Sequence, residues 1–263
     1  MTRGFANPQN NCYFNTALQC LFHVPALSNC LNDKPHRGSC AFSRAYCDLL
    51  RTYWRTGETS VLDATPLLRE FQKHFPRFVD EEQHDVQEAI LCVIDILERA
   101  EPALKKLFYG KKTQETIWPG GKNSTEEVFS VHLLTTKPKA SLEQMLEDST
   151  AWHTLEGFVD DEGKTHHVAT TRTVFSEMPP MLMISFDKKS VVSLIDRLQI
   201  GSVKYRLVAS ALHSGVQFDG HYVSCVWHKR WYLVNDEHTD PLEGGPPSPA
   251  GHYFLIYVPE KQT

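Results

Sequence analysis

None of the seven cysteines in this 263-residue chain falls in a Cys-x-x-Cys pair. A zinc ribbon is therefore not visible, and the odd count argues against a secreted disulfide framework. No apolar run approaches the roughly 20 residues that a membrane helix needs. Excess positive charge is missing too. The net charge is −5, and a nucleic-acid partner requires a basic footprint. Met1 to Asn10 lack the basic-then-apolar order of a secretory leader. What remains is an ordinary globular composition, 41% hydrophobic and 22% charged, long enough for one large domain or two small ones. The expectation is a monomer of a reducing compartment, cytoplasmic and/or nuclear, with no membrane and no nucleic-acid partner.

Hydrophobic spacing divides the chain in two. The first half has helical periodicity over Asn15 to Phe22, Ala41 to Tyr53, Ala64 to His74, and from near Asp80 to about Ala100. In the last of these, Val86, Ala89, Ile90, Val93, Ile94 and Leu97 form one stripe, and Asp80, Glu81 and Glu82 crowd the start, where the helix dipole favours negative charge. The second half changes period. Strands are expected over Glu127 to Leu134, Met181 to Phe186, Tyr205 to His213, Tyr222 to Trp227, Trp231 to Val234 and His252 to Val258. Lys111 to Ser124, Asp160 to Gly163 and Gly244 to Gly251 read as loops and turns. Helices first and antiparallel strands later indicate an α+β fold.

Cys12 is the first residue with a chemical reading. Asn7-Pro8-Gln9-Asn10-Asn11 is turn-forming sequence that leads straight into a helix. The field at a helix N-terminus favours thiolate and lowers a cysteine pKa. Free N–H groups there can receive an oxyanion, and the Asn7 side chain can add another donor. The competing reading is a small core residue preceded by cap residues.

A thiol nucleophile needs a base, and the base needs an orienting acceptor. Among the histidines, His221 opens a strand after a loop bracketed by Gly215 and Gly220. If the following hairpin turns at His228, paired numbers sum to 456 and His221 meets Asn235; a one-residue change brings Asp236 instead. The two side chains point to opposite faces, so one of them orients the imidazole directly. Taken alone, His221 reads as a structural strand-end histidine; only together with its orienter does the catalytic reading match it. The adjacent His166 and His167 face opposite sides of a strand and make a poor metal site. Trp118 and Trp152 read as packing residues. No metal and no cofactor are expected.

Taken together, these segments resemble the ubiquitin-specific protease family of cysteine peptidases. The resemblance runs from Gly4 to Val258. It is carried by Gly4-Phe5-Ala6-Asn7, Cys12-Tyr13-Phe14-Asn15 and Leu18-Gln19-Cys20-Leu21, by Gln83-His84-Asp85-Val86-Gln87-Glu88, and by the strand from Met178 to Ile184. It continues in Tyr205-Arg206-Leu207, His213-Ser214-Gly215, Gly220-His221-Tyr222-Val223, Trp231-Tyr232, Asn235-Asp236 and Tyr253 to Tyr257.

The resemblance implies a papain-like fold in a single catalytic domain over 1–263. Its helical thumb would cover about 1–108, short antiparallel fingers would lie within about 109–174, and a β-rich palm would take up most of 175–263. It implies a deubiquitinase that hydrolyses the isopeptide or peptide bond after the last glycine of ubiquitin. Cys12 would be the nucleophile, His221 the base and Asn235 its orienter, with Asp236 the alternative, and Asn7 would stabilise the oxyanion. Asp85 would hold the basic tail of ubiquitin, and Gln83, Gly220 and Tyr222 would line the channel for its terminal Gly-Gly. Residues 214–220 would form a blocking loop over that tail. Two rival functions are a weakly active ubiquitin-binding module and a protease for a ubiquitin-like modifier. Three features depart from the family pattern. Gln9 stands where a glycine is usual, Ala89 replaces an aromatic residue, and the zinc-binding Cys-x-x-Cys pairs are absent.

Overall fold

A computed structural model describes residues 2–32, 40–79, 82–187, 191–216 and 219–260. The first half is helical: α1 (Cys12–Phe22), α2 (Pro25–Asn32), α3 (Ala41–Tyr53), α4 (Thr65–His74), α5 (Val86–Ala100) and a single turn, α6 (Lys105–Phe108). Every residue of α1 is buried. A helix enclosed on all sides is a central element, not an amphipathic surface one. It packs against α5 and against the strands that carry the site. Burying side chains such as Phe14, Leu18 and Phe22 contributes roughly 1.5–3 kcal/mol each, so the N-terminus of α1 is rigidly placed.

Helix α5 starts later than the acidic run from Asp80 to Glu82 suggests, at Val86, the first residue of its hydrophobic stripe. Asp85 is its N-cap, with Oδ1 accepting from the Glu88 N–H at 3.0 Å. That bond satisfies one of the exposed donors of the first turn. Gln83 and His84 therefore lie on the approach to α5, outside the helix. Asp80 and Glu81, expected at its start, fall outside the described residues.

Two sheets follow. The smaller has the order β2-β1-β5-β4, built from β1 (Gly110–Trp118), β2 (Gly121–Phe129), β4 (His153–Val159) and β5 (Thr165–Glu177). The expected loop over Lys111 to Ser124 is instead this sheet's first hairpin, with Trp118 paired to Gly121. Its strands are polar on both faces and so lack the alternation that marks a half-buried strand. The expected strand Glu127 to Leu134 splits at Ser130: β2 ends at Phe129, and β3 (Val131–Leu134) joins the other sheet, parallel to β6 (Leu182–Phe186). Between them lies α7 (Leu142–Thr150), opened by a capping box of Ser141 and Gln144.

The larger sheet has the order β11-β10-β9-β8-β12-β6-β3, with β7 (Arg197–Ile200) paired to β8. Its remaining strands are β8 (Val203–Val216), β9 (Asp219–His228), β10 (Arg230–Asn235), β11 (His238–Leu242) and β12 (His252–Pro259). One face packs on the helices through Val226, Val234 and Ile256; the other covers a second core with Cys225, Trp231, Leu255 and α7. Thus the α+β expectation holds, with one parallel pair among the antiparallel ones.

Candidate active site

The β9–β10 hairpin decides how His221 is served. Its turn centres on Lys229, whose φ is +64°, and pairs Trp231 with Trp227 and Val234 with Ser224. Paired numbers therefore sum to 458, not 456, so neither Asn235 nor Asp236 lies directly opposite His221. The shift is by two residues, and strand parity survives it. Asn235 shares the His221 face as a diagonal neighbour, within reach of polar side chains. Its Oδ1 accepts from His221 Nε2 at 2.7 Å. With the proton on Nε2, Nδ1 keeps a lone pair for a thiol.

Asp236 projects to the helix side. It lies 3.8 Å from His221 Nε2, beyond hydrogen-bond distance, and takes other partners. Its Oδ2 accepts from Asn7 Nδ2 at 2.8 Å, and its Oδ1 from Asn15 Nδ2, also at 2.8 Å. Asn7 Oδ1 in turn accepts from the Asn11 N–H at 2.6 Å. These bonds fix which end of the Asn7 carboxamide faces which way. One N–H of its NH2 is held by Asp236, and the second has no partner among the described residues. Asn15 is a component that sequence spacing did not assign. The signal was an asparagine one turn into a wholly buried helix, where an unpaired carboxamide is costly.

The turn that carries Asp236, between β10 and β11, is pinned by the N-terminal segment. The Phe5 N–H donates to the Asp236 carbonyl at 2.8 Å, and a Cβ on Gly4 would lie 2.4 Å from the Glu237 carbonyl oxygen. Only glycine permits that approach. The turn before Cys12 also differs from expectation. The left-handed residue is Asn10, at φ +50°, rather than Gln9. Asparagine tolerates that region, so the absence of glycine at Gln9 imposes no backbone strain.

Cys12 is the first residue of α1, and its side chain is buried. Its pKa is raised, against the expectation of a lowered one. Burial is the main cause, and the Asp236 charge adds to it. The backbone N–H groups of Tyr222, Tyr13 and Cys12 itself act the other way. Desolvation of a thiolate outweighs a helix terminus when the sulfur is closed off from water. The Tyr222 contact places the sulfur beside the backbone of the residue that follows His221.

The expected substrate-binding residues form a second cluster. Gln83 reaches across to the peptide of Gly220: its Nε2 donates to the Gly220 carbonyl, and its Oε1 accepts from the Gly220 N–H at 2.8 Å. Asp85 Oδ2 accepts from the Tyr253 hydroxyl at 2.5 Å. The Tyr222 phenol is buried near Asp85 and receives the Val86 N–H, so Tyr222 presents backbone toward Cys12 and its ring to the core. Gly215 and Gly220 do not bracket a loop; they pair within the β8–β9 ladder, as do Ser214 and His221. Of the segment expected to block the tail, residues 217–218 lie outside the described residues. His166 Nε2 bonds Asp160 Oδ2 at 2.7 Å and closes the Asp160–Gly163 turn. Trp118 packs on Phe158, and Arg172 lies 4.6 Å above the ring of Trp152. Among the described residues all seven cysteines are free thiols, and no group of three or more His, Cys, Asp or Glu is arranged to hold a metal.

A helical half against an antiparallel sheet, with a cysteine heading the central helix and a His–Asn pair on the facing hairpin, defines a papain-like cysteine peptidase architecture. Residues 3–257 match the family model described as Ubiquitin carboxyl-terminal hydrolase. The chain belongs to that family. It is 22% identical to Ubiquitin carboxyl-terminal hydrolase 2 of Bos taurus, over 97% of this chain and 54% of that protein. It is 25% identical to Ubiquitin carboxyl-terminal hydrolase 36 of Drosophila ananassae, over 97% of this chain and 28% of that one. The chain spans from about a tenth to about half the length of the first curated relatives it matches. Among solved structures it superposes on a chain of the SAGA DUB module of Ubp8, Sgf11, Sus1 and Sgf73 bound to monoubiquitin. The TM-score is 0.86 at 18% identity, covering 99% of this chain and 70% of that one.

Proposed function

We propose that this protein is a deubiquitinase that cleaves the bond after the C-terminal glycine of ubiquitin by thiol catalysis. The observation that carries the reading is the His221–Asn235 bond, because it leaves the other imidazole nitrogen as a base for a cysteine. His221 takes the Cys12 proton as the sulfur attacks the glycine carbonyl. Asn7 and the backbone N–H groups at the start of α1 receive the oxyanion. His221 then protonates the leaving lysine amine, and water, deprotonated by the same imidazole, hydrolyses the thioester.

The glycine tail would run between Gln83 and Gly220. A peptide entering there presents the same N–H and carbonyl pair that Gly220 offers Gln83. Asp85 retains lone pairs for an arginine on the tail. The unstrained turn at Gln9 favours turnover over a binding-only role. The seven free thiols suit a reducing compartment such as cytoplasm or nucleus, and the protein would act there as a monomer on ubiquitinated proteins.

The test is labelling with a ubiquitin C-terminal electrophile, with turnover of fluorogenic ubiquitin and ubiquitin-like substrates measured side by side. Modification of Cys12 and preference for ubiquitin are expected. Modification of Cys20 or Cys30 instead would overturn the assignment, and preference for another modifier would change the substrate.

A further inference from the structure

A cleft of about 720 Å³ is lined by Gly4 and Glu237, which adjoin the turn at Asp236, and by the β9–β10 turn. It falls within the size range of ligand sites and is far larger than a single inorganic ion requires. Its charge is opposite to that of the protein. Arg3, Lys229 and Arg230 line it against one carboxylate, Glu237, in a chain of net charge −5.

The cations have different roles. Arg3 is 1% exposed and already engaged, donating to the Ser60 and Thr52 carbonyls and to Ser60 Oγ and pairing with Glu58 at 3.4 Å, so the cleft's available charge is that of Lys229 and Arg230. Lys229 and Arg230 sit on the tight β9–β10 turn, and neither has an ion-pair partner among the described residues. A further wall residue, Thr239, has a buried hydroxyl with no hydrogen-bond partner among the described residues. Such a group in a native fold calls for an explanation.

We propose that this cleft binds an acidic peptide segment of a partner protein, with Lys229 and Arg230 pairing its carboxylates. An extended acidic strand fits both the volume and the two separate cations. The position also couples the cleft to catalysis. Gly4 and Glu237 form part of its wall, and the backbone at Gly4 is in tight contact with the Asp236 and Glu237 carbonyls. An occupant therefore presses on the residue that holds Asn7.

The test uses the full chain and a fluorescein-labelled hexaglutamate peptide, read by fluorescence anisotropy at low salt. Saturable binding is expected, weakened at least about tenfold by Lys229→Glu with Arg230→Glu, since charge reversal at a complementary surface acts directly on association. It should also weaken as salt screens the pairing. The variant should keep the melting temperature and the Cys12 labelling of the parent, which separates this proposal from the catalytic one. Absence of saturable binding, or binding indifferent to the charge reversal, would overturn it. Pyrophosphate binding that depends on the two cations, without hexaglutamate binding, would make the cleft a phosphate site and equally overturn the peptide proposal.

Discussion

Replacing Asp236 should slow turnover while leaving the nucleophile, the base and the bond between His221 and Asn235 in place. The carboxylate offers acceptors to two carboxamides at once, Asn7 and Asn15, each at 2.8 Å. Asp236→Ala removes both acceptors. Hydrogen bonds to a charged group are worth about 1.5–3 kcal/mol each, so Asn7 loses the anchor that directs its NH2. One oxyanion donor contributes about 10²–10³ in kcat, and the loss should fall in kcat with KM little changed, because the interaction forms in the transition state. Asp236→Asn should be milder. Its Oδ1 can still accept from Asn7, while Asn15, whose own Oδ1 is buried without a partner among the described residues, can turn to accept from the new NH2. The order of kcat should therefore be wild type, Asp236→Asn, then Asp236→Ala close to Asn7→Ala. If Asp236 acts through Asn7, the double variant Asn7→Ala/Asp236→Ala is no slower than either single one. Steady-state hydrolysis of a fluorogenic ubiquitin amide, with melting temperatures to exclude unfolding, decides the matter. A folded Asp236→Ala protein within about threefold of wild type, or a double variant showing the product of both losses, would refute the reasoning.

Burial raises the Cys12 pKa, so in the free protein the neutral thiol dominates and the thiolate fraction grows about tenfold per pH unit below that pKa. Iodoacetamide alkylation of Cys12 should rise with that slope through the neutral range, whereas a plateau reaching down to pH 6 would indicate a preformed thiolate. Asn235→Ala removes the acceptor on His221 Nε2 and should lower kcat; a folded variant with unchanged kcat would contradict the orienting role of that bond. Gly4→Ala puts a Cβ against backbone carbonyls of residues 236 and 237 and should lower both melting temperature and kcat. His132 and His252 are pushed down to about 4 by burial. The unfolded chain takes up their protons first, so their contribution is complete above about pH 6.5 and is lost as pH falls toward 4, roughly 2 kcal/mol each at pH 5. A melting temperature that stays constant from pH 7 to 5 would argue against this.

The helical half could be read from its spacing. Helix α3 matches its expected span because an amphipathic helix on a core announces its buried face every three to four residues. The small polar sheet could not be read in this way, since a sheet with two solvated faces has no alternation to detect. The start of α5 was misplaced for a different reason: the acids from Asp80 to Glu82 suit a helix N-terminus, but the cap that begins the helix is Asp85, through its side-chain bond from the Glu88 N–H.

The site divides along the same line. Residue chemistry and parity along the chain singled out Cys12, His221 and the Asn235–Asp236 pair, because alternation of side chains on a strand is a local property that no packing can change. The family resemblance supplied the thumb, palm and fingers frame, and with it the roles for Gln83 and Asp85. Tertiary structure alone decided three things. It set the hairpin register, because the turn at Lys229 depends on a left-handed backbone that the sequence does not advertise. It brought Asn15 onto Asp236, because that contact joins residues 221 positions apart. It also reversed the expected direction of the Cys12 pKa, because a helix terminus is written in the sequence while exclusion of water comes from everything packed around the sulfur.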